Sequence, residues 1–219
     1  MKTDAQIKQD VLAELKWDAE IDETKIGVSV SKGAVTLSGH VPTYLQKMAA
    51  LKAVKHVSGV LAVVNHIDVL LENYHRLTDE GLAERIANAL NWNASAVGNN
   101  LKAEVKNGLV TLTGKIDWQF QRMNIHKAIE HLSGVVNVID LIELKPRVSV
   151  ADVQEKIKQA LKRHADHEAN RIGVTVANGT ATLSGIVESI DEKDRVNNAA
   201  WAAPGISKVV DNLEVFWVE

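Results

Sequence analysis

Apolar residues near the start of the chain recur four apart, at Ile7, Val11 and Leu15, with polar residues filling most of the intervals. That spacing predicts an amphipathic helix. Thr3 stands just ahead of it, and with Gln6 it forms a capping box that satisfies helix-start N–H groups. The period then shortens to two, at Ile26, Val28 and Val30 and again at Val35 and Leu37. Two strands are predicted there, joined by a tight turn ending in Gly33. A second helix is predicted over about 44–57 with Thr43 as its cap; it stops at Val57-Ser58-Gly59-Val60, where glycine suits the left-handed residue past a helix end. A closing strand, "NHIDVL", completes an αββαβ unit. Its second and third strands are linked through a helix and should be parallel.

The same pattern returns twice. Shifted by 75 residues, Ile7, Val11, Leu15 and Trp17 fall on Leu82, Ile86, Leu90 and Trp92; a further shift of 71 reaches Val153, Ile157 and Leu161. Structural glycines recur in register as Gly33, Gly39 and Gly59, as Gly108, Gly114 and Gly134, and as Gly179, Gly185 and Gly205. Such self-similarity marks tandem domains. The expected fold is α+β: three tandem αββαβ units, each with two helices on one face of a three-stranded mixed sheet. The expected domains are residues 1–74, 75–147 and 148–219. Asn107-Gly108 and Asn178-Gly179 are strong hairpin-turn pairs, and Lys32-Gly33 is a weaker version. The second helices are expected to be capped by Thr43, Asp117 and Ser189, with His56 and His131 in the last turn beside the helix dipole. Trp17 and Trp92 end the first-helix stripe and are expected in the core.

The phrases "GAVTLSG", "GLVTLTG" and "GTATLSG" bear superficially on phosphate binding. A phosphate loop places its glycines between a strand and a helix start, with N–H groups converging on the anion. Here the first glycine lies in a hairpin turn and the second at the far end of a strand. Their role is expected to be structural.

Composition narrows the function classes. The 219 residues are 46% hydrophobic, carry a formal charge of −3 and include no cysteine. Disulfides and thiolate metal sites are thereby excluded. No run of roughly 18 apolar residues occurs that could span a bilayer as a helix. The N-terminal sequence mixes charge with apolar residues and lacks the uninterrupted stretch of a secretory leader. As written the chain is expected in the cytoplasm; a leader removed ahead of Met1 would place it in the periplasm. The charge is −1 over residues 1–74, +1 over 75–147 and −3 over 148–219. Nucleic-acid binding needs clustered positive charge, so no nucleic-acid partner is expected. Lys47, Lys52 and Lys55 make at most a local patch.

Few residues promise chemistry. His164, His167 and Glu168 lie close in "HADHE", but their counterparts "DAEID" and "NASAV" contain no histidine, and a zinc site needs further ligands. His126 and His131 are five apart and point to different helix faces. No catalytic residue, metal site or cofactor is expected. Comparison between copies singles out other positions. Trp201 replaces Lys55 and Glu130, and Trp118 replaces Thr43 and Ser189. Trp217 aligns with Leu71 and Pro146. Trp118, Trp201 and Trp217 are therefore candidate surface contacts, either between units of this chain or with an external partner or lipid. Asp191 and Asp194 stand where the earlier copies have Leu45/Phe120 and Met48/Met123. The third copy's second helix is accordingly expected to start differently or to pack less deeply. The connections "ENYHRLT" and "KPRVS" are short and not rich in Gly or Ser, which favours a compact array.

A unit of about 70 residues with G-x-[VA]-T-L-[ST]-G, followed by an S-G-V-type turn twenty residues after the second glycine, resembles the BON domain. This is a bacterial domain named after osmotically inducible and nodulation proteins. The resemblance covers the chain as three copies. It implies a non-catalytic, stress-associated binding protein or adaptor, related to osmotic stress and in contact with phospholipid or an envelope protein. A potassium-binding relative in the same family implies the alternative, a K⁺-sensing module, and a protein scaffold is a third reading. Three copies where two are usual, and the lack of a leader, depart from the osmotic-shock pattern.

Overall fold

The computed structural model describes residues 2–71, 77–94, 101–145, 171–203 and 205–215, together with Val153 and Ile157. The first unit contains α1 (Asp4–Trp17), β1 (Ile26–Ser31), β2 (Ala34–Val41), α2 (Tyr44–His56) and β3 (Ala62–Val69). The second contains α3 (Asp79–Ala94), β4 (Leu101–Lys106), β5 (Leu109–Ile116), α4 (Gln119–Glu130) and β6 (Asn137–Leu144). The third contains β7 (Ile172–Ala177), β8 (Thr180–Val187), α5 (Ile190–Trp201) and β9 (Lys208–Val215), preceded by the helical, buried Val153 and Ile157. The fold is the expected α+β repeat.

Each sheet has the order first–second–third, with the middle strand paired antiparallel to the first and parallel to the third. Alternate residues of the middle strand, such as Val35 and Leu37, turn inward against Ile7, Val11 and Leu15 of α1 and Ala50 and Val54 of α2. The three hairpin turns have φ of 51°, 52° and 48° at Lys32, Asn107 and Asn178, each followed by a glycine at φ 75°, 74° and 74°. Both turn residues thus occupy the left-handed region, the geometry whose twist matches the flanking strands. Asp4 fastens the first turn to α1, its carboxylate accepting the N–H groups of Lys32 (2.8 Å) and Gly33 (3.0 Å). Those bonds, Gly33's first and then Lys32's, hold the Asp4 carboxyl below its ordinary range. Asp79 repeats the arrangement on Asn107 (2.6 Å) and Gly108 (3.0 Å).

Two expectations are corrected, and one of the alternatives for the third unit's second helix is removed. Trp17 and Trp92 are not core residues: they are 87% and 86% exposed. At about 100° per residue, a position two beyond Leu15 or Leu90 lies on the far side of the helix from the buried stripe. Asp117 does not cap α4. The cap position is Trp118. The buried Gln121 instead turns its Oε1 back to accept the N–H groups of Asp117 (3.2 Å) and Trp118 (3.0 Å). The third unit's second helix begins where the others do, with Ser189 accepting the Glu192 N–H as Thr43 accepts that of Gln46. Asp191 and Asp194 have a different role, described below.

The buried residues of the first two units form one continuous apolar cluster, whereas the third unit has its own.

Candidate functional site

Two kinds of surface stand out: the helix-end tryptophans, and the junctions between units. Trp17 is the last residue of α1, and Trp92 occupies the same place near the end of α3. Both present a large amphipathic ring to water, the side-chain type enriched at protein interfaces and at the headgroup level of membranes. Of the tryptophans expected to make contacts, Trp118 is half-buried and lies 6.4 Å, centroid to centroid, from Phe120. Trp201 is also half-buried and packs on the third unit's core. Trp217, and the "HADHE" segment at 164–168, lie outside the described residues. The two most exposed tryptophans are therefore ones that the comparison between copies did not single out. A wheel projection of α1 identifies Trp17 without any structure.

The first junction places the start of α2 against the end of α4. Tyr44 is only 5% exposed. Its hydroxyl oxygen accepts a hydrogen bond from the Val138 backbone, and Glu130 lies nearby. Burial, reinforced by the Glu130 charge, pushes the phenol above its ordinary value, and the Val138 bond opposes this. Thr43, Tyr44 and Leu45 share a cleft of 150 Å³ with Leu71 and residues 130–135 of the second unit. Within the second unit, Arg122 donates through Nε to Asp140 at 2.7 Å, and His126 Nδ1 lies 2.9 Å from Glu130 Oε1.

The second junction places the start of α5 against the end of α2. Lys55 meets Asp194 at 2.7 Å and His56 Nε2 meets Asp191 at 2.9 Å. Ile190 packs on the apolar cluster of the first two units. The acidic residues that distinguish the third copy are thus its contacts to the first.

His126 supplies a pH prediction. Its pKa is raised from 6.5, first by the bond to Glu130, with the Glu130 and Asp140 charges adding and burial and Arg122 opposing. A group charged more readily when folded contributes fully below its unfolded pKa and loses that contribution as pH rises through the folded value. Urea midpoints of the wild type should therefore fall, relative to Glu130→Gln, as pH increases above about 6.5. Parallel curves for the two proteins would remove this assignment.

Among the described residues, no group of three or more His, Asp or Glu side chains is placed to hold a metal ion. No described helix is long and apolar enough to cross a membrane. A second cleft, of 260 Å³, lies over the Asp4 fastening and is lined by Lys2, Ile7, Lys32 and Leu61 among others.

These features define a tandem array of small α+β modules, each a three-stranded mixed sheet with helices packed against it. Residues 3–70, 78–146 and 149–215 match the BON domain, and the chain belongs to that family, which is associated with phospholipid binding and is generally non-catalytic. No curated protein matches the chain. It is similar to the C-terminal domain of CdsD, the structural protein of the Type III secretion system of Chlamydia trachomatis, at 15% identity and a TM-score of 0.27, covering 99% of this chain and 100% of that one. A further CdsD structure matches at 19% identity and a TM-score of 0.28, covering 96% and 92% respectively. Scores of this size bear on neither arrangement nor function.

Proposed function

We propose that this protein is a non-catalytic adaptor, related to osmotic stress, that meets phospholipid or envelope surfaces through Trp17 and Trp92. The observation that carries the reading is the near-complete exposure of two tryptophans at equivalent helix ends. A tryptophan ring exposed to this extent partitions well into the headgroup zone. The near-neutral first two units argue for contact through ring burial rather than through strong attraction to anionic lipid.

The test is co-sedimentation with vesicles of mixed phosphatidylcholine and phosphatidylglycerol, followed by tryptophan emission. Binding with a blue shift is expected, and Trp17→Ser/Trp92→Ser should lose roughly tenfold or more in affinity, the equivalent of about 1.4 kcal/mol. Both rings lie outside the core, so the double variant should unfold at the wild-type midpoint. Absence of wild-type binding would overturn the lipid reading. A thermal midpoint that rises in K⁺ but not in Na⁺ at equal ionic strength would favour the ion-sensing alternative.

A further inference from the structure

The two junctions are the same contact used twice. Position by position, Tyr44, Leu45 and Met48 of α2 correspond to Gln119, Phe120 and Met123 of α4 and to Ile190, Asp191 and Asp194 of α5. Lys55 and His56 correspond to Glu130 and His131 and to Trp201 and Ala202. In the first junction the helix start of unit one meets the helix end of unit two at Glu130. In the second, the helix start of unit three meets the helix end of unit one at Lys55 and His56. Both contacts are head-to-tail, so each helix has one donor end and one receiving end. Unit one uses both.

Among the described residues, this leaves a start on unit two and an end on unit three. At the start of α4, Phe120 is 56% exposed and Met123 49% exposed. Leu45, Met48, Asp191 and Asp194, at the same positions of the engaged starts, are all more covered as residues. The pairing chemistry differs between junctions, the start of α2 with Tyr44 and Leu45 facing Glu130 and His131 of the second unit. The acidic start of α5 meets the basic end of α2, whereas the remaining start, Phe120 and Met123, and the remaining end, Trp201 and Ala202, are both apolar. Gln119, in Tyr44's position, buries its Oε1 without a hydrogen-bond partner.

We infer that the start of α4 is a docking surface for a second copy of this chain, which presents the end of its α5 in the same head-to-tail geometry. Phe120 and Met123 of one copy pack on Trp201 and Ala202 of the next. A heterologous contact of this kind propagates or closes a ring according to its rotation.

Sedimentation velocity of the lipid-free protein over a range of concentrations tests this. Mass should rise with concentration from the 23.9 kDa of one chain toward multiples of it. Phe120→Asp and, separately, Ala202→Arg should each abolish the rise while leaving the circular-dichroism melting curve unchanged; both positions are exposed. Mixed together, the two variants retain one intact start and one intact end, so a species of twice the chain mass should reappear. A wild type that remains at one chain mass throughout overturns the inference, whether α4 then stays bare or closes onto its own third unit. If Ala202→Arg associates like the wild type, the contact is not head-to-tail and the inference is also lost.

Discussion

Truncating Tyr44 to alanine is expected to cost about 3–5 kcal/mol, the range for removing a large buried ring, and to separate the unfolding of the first two units. Tyr44 belongs to the first unit by sequence yet is buried against the second, in the apolar cluster that the two share. Its removal opens the junction cleft and strips the hydrogen bond from the Val138 backbone. Tyr44→Phe keeps the ring and loses only that bond, so about 0.5–1.5 kcal/mol is expected. Urea denaturation followed by far-ultraviolet circular dichroism distinguishes the outcomes. A single broadened or split transition in Tyr44→Ala, against one sharp transition for units one and two in the wild type, supports the junction. A loss below about 1 kcal/mol with unchanged cooperativity would show that the ring is not an anchor.

The second large effect is expected at Gly39, where the backbone and not the side chain is critical. Its φ is 120°, and a Cβ placed there would run into the carbonyl oxygen of Lys25. Gly185, at φ 123°, faces the carbonyl of Arg171 in the same way. Because that obstacle is backbone immediately ahead of a paired strand, it cannot swing aside as a side chain can. Gly39→Ala should therefore cost at least about 3 kcal/mol, combining conformational strain with a displaced strand. Gly81→Ala is the control: it lies in α3 with only Thr78 Oγ1 at 3.6 Å, and the change should be neutral or stabilising within about 1 kcal/mol. Equal losses at the two sites would mean that the constraint at Gly39 has been misread.

The repeat, the element order and the hairpin turns were legible because they depend on local chemistry. Asn107-Gly108 and Asn178-Gly179 state their turn outright, and Ile7, Val11 and Leu15 state their helix face. The tryptophans were misread for an instructive reason. Recurrence of Trp17 at Trp92 shows a constraint shared by two copies, but not whether that constraint is burial; the angular position two beyond Leu15 decides it. The cap of α4 was misplaced by one residue because Asp117 is the more usual capping type, while the Gln121 side chain already satisfies those N–H groups. Asp191 and Asp194 were legible as departures from the pattern. Their partners, Lys55 and His56, lie more than a hundred residues away, and no local rule connects them.

The first unit receives the third at the end of α2 and enters the second with its start. It leaves the ribosome ahead of the other two units, and domains generally fold as units in that order during synthesis. The piece that orients its neighbours is therefore in place before either has been made. Unit two meets a folded seat as its own core closes, and unit three, with a separate core and an acidic helix start, attaches last to a surface that has been waiting for it.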